Sequence, residues 1–230
     1  MLKKPVAAPP PQPKSALPFM FTFMLGMIAI LMVTPLINGE SLIFYITAPF
    51  GLESEQLWWY VTRAAGMTAY ILVWLSTMWG FIIGSKIFDS ILDTSISLVF
   101  HEILSLLGLG FSLMHAAVLL VDRFIPFSLT QIMVPFLSPY RPFWVGTGTI
   151  CFYLALLVSL SFYVRRWISQ PLFRLIHVLS IFSYLGILFH ALFAGTDSGL
   201  SMVLDVYKIT FLSSIFLGTF WVVRQNGEKN

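Results

Sequence analysis

The chain has 230 residues and a formal net charge of +3, with 58% hydrophobic and only 10% charged residues. A soluble domain carries about 25% charged residues, so this chain cannot cover a water-facing surface and most of its surface must face lipid. The 13 lysines and arginines lie between hydrophobic runs rather than in one cluster, which excludes a nucleic-acid partner. The length suits one membrane-embedded bundle.

The amino-terminal stretch MLKKPVAAPPPQPK is basic and rich in proline. Proline disrupts helix interiors and little here is apolar, so we expect a disordered cytoplasmic tail over residues 1–16. The hydrophobic run that follows is too long for a signal peptide, and we expect it to remain as a transmembrane helix. The single cysteine, Cys151, lies inside a hydrophobic run, so it can form neither a disulfide framework nor a thiolate metal site.

Six segments are apolar enough, and long enough at about 20 residues, to cross a membrane as helices. In chain order they are Leu17–Ile37, Tyr60–Ile83, Ser95–Val121, Trp144–Val164, Phe173–Ala194 and Met202–Val223. The sequence therefore predicts an all-α integral membrane fold, a six-helix transmembrane bundle over residues 17–225. A short cytoplasmic tail is expected at 226–230.

The lysines and arginines predict the orientation, because they are enriched in cytoplasmic loops. With six helices, both termini lie on one side together with nine of the 13 basic residues. The other side holds four, namely Arg63, Arg123, Arg141 and Lys208. We therefore predict cytoplasmic termini, in a bacterial inner or plasma membrane. The outer segments 38–59 and 122–143 mix prolines and aromatics with charges, and we expect them to lie at the interface and cover the outer end.

The four histidines, His101, His115, His177 and His190, all fall within two of the six segments. Ionisable side chains inside a membrane are costly and usually mark a function. The first two are 14 residues apart and the last two 13 apart, which separates the members of each pair by about 20 Å along a helix. Because the two helices run parallel, His101 and His177 share an inner level, and His115 and His190 share an outer level.

Two opposed imidazoles at one depth are the axial pair that six-coordinate haem iron requires. The residues thus predict two b-type haems, an inner one between His101 and His177 and an outer one between His115 and His190. Zinc fits poorly, because its ligands must lie within a few ångströms of one ion. The 13-residue spacing would leave its two imidazoles about 140° apart on an ideal helix. We therefore expect an unwinding or π-bulge near Gly186.

Two arginines lie close to these levels. Arg63 lies near the outer level, and Arg174 lies three residues before His177 near the inner level. Each guanidinium can pair with an anionic haem propionate, and the alternative is snorkelling to lipid headgroups. Gly108 and Gly110, between the first two histidines, would admit a flat macrocycle or serve ordinary helix packing.

The histidine pairs occur together with three tracts: WWYVTRAAGMTAYIL at 58–72, RPFWVGTGTICFYL at 141–154 and FRLIHVLSIFSYLGILFHALFAGTD at 173–197. With them the chain resembles, over residues 17–225, the ferric reductase-like transmembrane domain family. That family includes ferric reductases, NADPH oxidases and the haem-binding membrane subunit of the periplasmic methionine-sulfoxide reductase system. The resemblance implies haem b ligation by the same two pairs and electron flow from a cytoplasmic flavin to the inner and then the outer haem. It also implies that Arg63 lies near the outer haem and its acceptor site.

The larger members of the family continue into a domain that binds FAD and NAD(P)H, whereas this chain holds no GxGxxG-type phosphate loop. We therefore expect a ferric reductase-like oxidoreductase component that carries electrons across the membrane. Its donor would be a separate cytoplasmic flavin reductase or a quinol, and its acceptor ferric iron, oxygen or a periplasmic redox protein. The alternative is a haem-binding anchor or relay subunit of a larger redox complex. A third hypothesis is a proton-coupled transporter with histidine relays and Glu102 as its acidic group.

Overall fold

A computed structural model describes residues 57–87, 93–122 and 125–227. In these ranges the chain is helical and contains no strand. The helices are α1 (Leu57–Gly84), α2 (Thr94–Val118), the short α3 (Leu129–Met133), α4 (Pro142–Val164), α5 (Gln170–Ala194) and α6 (Ser201–Gly227), with a 3-10 turn at Thr196–Gly199. All but α3 are long and apolar enough to cross a membrane. The described part of the chain is thus a multi-pass, all-helical membrane protein.

The five long helices confirm five of the six predicted segments, and their ends differ from the prediction by a few residues. The largest difference is at the end of α6, which continues through Gly227 into the predicted tail. The predicted helix Leu17–Ile37, the tail at 1–16 and nearly all of the outer segment 38–59 lie outside the described residues.

Polar side chains and prolines define where several helices begin. The Asp93 side chain accepts a hydrogen bond from the backbone N–H of Ser95 at 2.7 Å, and so caps α2. Ser169 caps α5 in the same way, through the backbone N–H of Leu172. Both α4 and α5 carry a proline in the first turn, where its missing N–H costs no helical hydrogen bond. These caps and prolines fix the residues at which α2, α4 and α5 begin.

Helices α1 and α2 pack against each other through small and large side chains that recur every seven residues. The two helices pack along their length as an antiparallel hairpin. Small residues let transmembrane helices approach closely, and a seven-residue period keeps one seam between two helices. In each of three opposed pairs a glycine faces a larger side chain: Gly66 with His115, Gly108 with Val73, and Gly80 with His101. Gly108 therefore serves helix packing, the alternative role considered for it.

Helices α4 and α5 form a second antiparallel hairpin. Here Gly186 of α5 lies directly against the Cys151 thiol of α4, which leaves no room for a Cβ. The Ser183 hydroxyl donates to the Cys151 carbonyl at 2.8 Å. Helix α5 is α-helical throughout Gln170–Ala194, so the expected unwinding or π-bulge at Gly186 is wrong. Both histidine pairs still form, although 13 residues of ideal helix leave the two imidazoles of α5 about 140° apart. Side-chain torsions and the orientation of the helix must therefore make up this angle.

Helix α6 is joined to the two hairpins by buried hydroxyl groups. The Tyr70 hydroxyl of α1 is hydrogen-bonded to the Thr210 hydroxyl of α6. The Ser214 hydroxyl of α6 donates to the Tyr184 hydroxyl of α5 at 2.9 Å. The rings of Tyr70, Tyr184 and Tyr207 form a buried cluster around these bonds. In lipid, where apolar surface gains little from burial, such polar contacts are what orient a peripheral helix.

Replacing one of these hydroxyl groups should loosen α6. We expect Thr210→Val to lower the free energy of unfolding in detergent by about 1 kcal/mol, because the Tyr70 hydroxyl loses its partner. The matched control is Thr219→Val, an exposed threonine of the same helix, which should change stability by less than about 0.5 kcal/mol. Equal losses for the two variants would contradict this account of α6 packing.

Candidate functional site

The four histidines meet in two pairs, one member of each from α2 and one from α5. The ring centroids of His101 and His177 are 6.0 Å apart with planes inclined at 62°. Those of His115 and His190 are 6.2 Å apart with planes inclined at 75°. We keep the predicted names, inner level for the first pair and outer level for the second. These are the two pairings that the parallel course of the helices predicts.

The separation within each pair suits one metal ion held between two imidazoles. Two ring nitrogens on opposite sides of an ion, each about 2.0–2.1 Å from it, place the ring centroids about 6 Å apart. Within the described ranges, no group of three or more histidine, cysteine or acidic residues is arranged to hold a metal ion. A metal at either level would therefore need equatorial ligands from another molecule. A haem macrocycle supplies such ligands, so the residues present fit this group.

Backbone carbonyls hold both imidazoles of the outer level. Nδ1 of His115 lies 2.8 Å from the carbonyl oxygen of Thr62, and Nδ1 of His190 lies 2.9 Å from that of Trp144. Since a carbonyl can only accept, each Nδ1 carries the proton and Nε2 is left with a lone pair. The Thr62 hydroxyl also donates to the His115 carbonyl at 2.8 Å, so the two residues are tied in both directions. This is how metal-binding histidines are commonly oriented in proteins.

The inner level is held less firmly. Nδ1 of His101 lies 3.3 Å from the Ser76 hydroxyl, which is itself 2.7 Å from the Ser105 hydroxyl. Nδ1 of His177 is buried and has no hydrogen-bond partner among the described residues. Its ring instead packs against Phe173, with centroids 5.5 Å apart. The two levels therefore share their ring spacing but differ in how the imidazoles are oriented.

A cavity of about 230 Å³ adjoins the outer level. Both outer imidazoles line it, and most of the remaining wall is apolar. Tyr140, Tyr153 and Tyr207 are among the lining residues, and each donates its hydroxyl to a backbone carbonyl. A mostly apolar cavity with a few convergent polar groups is the usual form of a ligand site. The outer level thus combines two oriented imidazoles with a partly open cavity beside them.

Residues 125–141, the described stretch before α4, cover part of this cavity. The side chains of Ile125, Phe127 and Ile132 line the cavity from this segment. The short helix α3 within it begins with a capping box between Ser128 and Gln131. A reciprocal cap of this kind stabilises a helix too short to persist alone. The cover is therefore an ordered part of the site.

Arg63 lies at the edge of the cavity, with its charge matched by a carboxylate. Its guanidinium makes two hydrogen bonds to Asp197 of the 3-10 turn, one of them from Nε at 2.8 Å. It also lies over the Tyr60 ring, 5.5 Å from the centroid. Arg63 therefore does line the outer cavity, but it has a protein partner, which the sequence analysis missed. The signal was present, since an acidic residue follows directly on the outer end of the helix that carries His190.

The remaining candidate residues lie elsewhere. Arg174 is exposed on the first part of α5. Glu102 of α2 accepts a hydrogen bond from the Tyr163 hydroxyl of α4 at 2.7 Å. That bond joins the two hairpins and gives Glu102 a structural role.

Three glycines that were not among the predicted site residues lie against histidine rings, namely Gly66, Gly80 and Gly148.

No family model, curated protein or solved structure gives a significant match to this chain. The resemblance to the ferric reductase-like domain therefore stays a prediction. The case for function depends on the geometry of the two histidine pairs and of the cavity beside the outer one.

The pair between Arg63 and Asp197 should stabilise the outer end. Its side chains are only 30% and 25% exposed. We expect a double-mutant cycle with Arg63→Met and Asp197→Asn to give a coupling free energy of about 1 kcal/mol or more. The control is the pair between Asp205 and Lys208, whose side chains are 63% and 67% exposed and should couple by less than about 0.5 kcal/mol. The couplings are measured by unfolding in detergent. If the pair of Arg63 and Asp197 coupled as weakly as the control, it would have no structural role.

Proposed function

We propose that the chain is a membrane cytochrome b with two haems, which passes electrons from one side of the bilayer to the other. His101 and His177 would hold the inner haem, and His115 and His190 the outer one. The observation that supports this most directly is the pair of ring separations, 6.0 and 6.2 Å, at two depths on the same two helices. When bound, each haem would supply a one-electron couple between ferric and ferrous iron.

The spacing of the two levels suits transfer across a membrane. The two histidines of α2 are 14 positions apart in sequence, which is about 21 Å along the helix axis. The hydrocarbon core is about 30 Å thick, so two levels divide the crossing into shorter steps. The chain's part in this is to fix both pairs on two rigid helices and to enclose the outer one under residues 125–143. A water-poor surrounding is one of the features by which proteins set the potential of a metal site.

The proposal includes six transmembrane helices with both termini in the cytoplasm. Lys86, Arg165 and Arg166 follow α1 and α4 at the end of the bundle nearer the inner level. Arg63 and Arg141 lie nearer the outer level. A larger number of basic residues beside the inner level agrees with a cytoplasmic position for that end.

The proposed donor is a separate cytoplasmic flavoprotein such as a flavin reductase, or a quinol. The proposed acceptor lies on the outer side and is ferric iron, oxygen or a periplasmic redox protein. The partly open cavity at the outer level, which Arg63 and three tyrosines line, supports an acceptor that receives electrons at this end. The alternative, a relay subunit within a larger redox complex, is supported by exposed apolar side chains on the outer cover, including Leu129 and Leu137. A stable co-purifying redox partner would favour the relay subunit.

The haem proposal predicts a stoichiometry and its dependence on each histidine. We expect purified protein made with adequate haem to show b-type bands in a reduced-minus-oxidised spectrum and two haems per chain in a pyridine haemochrome assay. His115→Ala and His190→Ala should each remove the same haem, and His101→Ala and His177→Ala the other. Cys151→Ala, midway along α4, is the control and should keep both. Folded protein without b-type absorbance would refute the proposal.

The orientation predicts which loops are reached from outside the cell. In a Cys151→Ala background, Thr130→Cys on α3 should react with a membrane-impermeant maleimide in intact spheroplasts. Arg166→Cys, in the loop between α4 and α5, should react only after permeabilisation. Both positions are exposed in the structure, so access to the reagent decides the result. The reverse pattern would place the outer level in the cytoplasm.

A further inference from the structure

Two glycines occupy equivalent positions beside the outer imidazoles. Gly66 comes four residues after Thr62, whose carbonyl receives the His115 N–H, and Gly148 comes four residues after Trp144, whose carbonyl receives that of His190. A Cβ on Gly66 would lie 2.8 Å from Nδ1 of His115, and one on Gly148 would lie 2.6 Å from Nδ1 of His190. We call each carbonyl, together with the glycine four residues later, a backbone seat.

Helix geometry explains why a seat requires glycine. Side chains of an α-helix lean toward its amino terminus, so the side chain at one position covers the carbonyl four residues earlier. That carbonyl already accepts the helical N–H but has a second lone pair. Without a side chain in the way, an imidazole from the neighbouring helix can reach this lone pair. The helical hydrogen bond is kept while the imidazole N–H gains a partner in lipid.

At the inner level the partner of His101 is the Ser76 hydroxyl rather than a carbonyl. Gly80 comes four residues after Ser76, but a Cβ there would be 3.4 Å from the His101 ring, close to an ordinary contact. The other imidazole of the inner level is that of His177. This is the one histidine whose Nδ1 has no partner among the described residues. Both seats as defined here therefore belong to the outer level.

We propose that Gly66 and Gly148 are positioning residues for the outer haem, an inference that rests on the proposed function. Each seat fixes the proton on Nδ1, presents Nε2 to the iron and sets the plane of the ring. A hydrogen bond from Nδ1 to a carbonyl also makes the imidazole a stronger donor to the metal. The outer iron is thus held by two oriented ligands, whereas the inner iron has one weakly oriented ligand and one that packing alone orients.

The test replaces the seat glycines by alanine in the full chain. Gly66→Ala and Gly148→Ala should each reduce the haem content from two per chain to one. They should remove the low-spin ferric EPR signal that His115→Ala also removes, and leave the other signal unchanged.

Gly218→Ala is the matched control, because its Cβ would meet only the tip of Phe81, at 3.4 Å. It should keep both haems, and Gly80→Ala should do so too.

The possible results separate the inference from the function. Wild-type protein without haem would refute the proposed function itself. Wild-type protein with two haems, and seat variants that keep both with unchanged EPR signals, would refute the seats alone. Loss of both haems in the seat variants, with both retained in Gly218→Ala, would also contradict a local role, because the inner haem serves as the internal measure of folding.

A measurement on the wild-type protein avoids any folding defect of the variants. In reduced, diamagnetic protein labelled with ¹⁵N-histidine, the Nδ1 resonances of His115 and His190 should show the shift of strongly hydrogen-bonded imidazole. That of His177 should show the smallest shift. Four equal Nδ1 shifts would overturn the proposal whatever the variants do.

Discussion

An imidazole buried in a membrane bundle needs a partner for its N–H, and for His115 and His190 that partner is the backbone of a neighbouring helix. Leaving such a group unpaired in hydrocarbon costs several kcal/mol. A helix offers its carbonyls to a neighbouring ring most readily where a side chain is missing, and Gly66 of α1 and Gly148 of α4 provide such places beside the outer imidazoles. The close contact of α1 with α2 and of α4 with α5 follows, because a ring can reach a carbonyl only if the two helices nearly touch.

The two hairpins meet this requirement with different detail. In the first, small and large residues alternate in a seven-residue repeat that extends from Gly66 to Gly80. In the second, the contact between Gly186 and Cys151 continues the packing where the repeat is absent. Helix α6 contributes no imidazole and is fixed by hydroxyl groups at Thr210 and Ser214 instead. Close packing thus dominates within the two hairpins, whereas α6 adds buried hydrogen bonds to its packing against α1.

Much of this arrangement could be predicted from the sequence. Hydropathy predicts the helices because a bilayer demands a fixed length of apolar chain, and chain direction then pairs the histidines by depth. The partner of Arg63 was missed, because Asp197 is 134 residues away in sequence and its position just after the helix of His190 shows the pairing only once α1 is placed against the end of α5. The expected bulge at Gly186 was wrong because an ideal-helix angle ignores the torsions of long side chains.

The seats were missed because a glycine in a membrane helix suits ordinary packing equally well, although Gly66 and Gly80 have the same spacing as His101 and His115.

Each histidine pair takes one ring from α2 and the other from α5, and these helices belong to different hairpins. A metal ion bound by both rings would therefore crosslink two halves of the molecule that the chain itself connects through residues 119–141. Binding that exists only in the assembled state adds its free energy to assembly. On the proposed function, cofactor supply would bear on biogenesis as well as redox activity, because newly inserted chains without haem would rely on the direct contacts between the hairpins, such as those of Arg63 with Asp197 and of Glu102 with Tyr163.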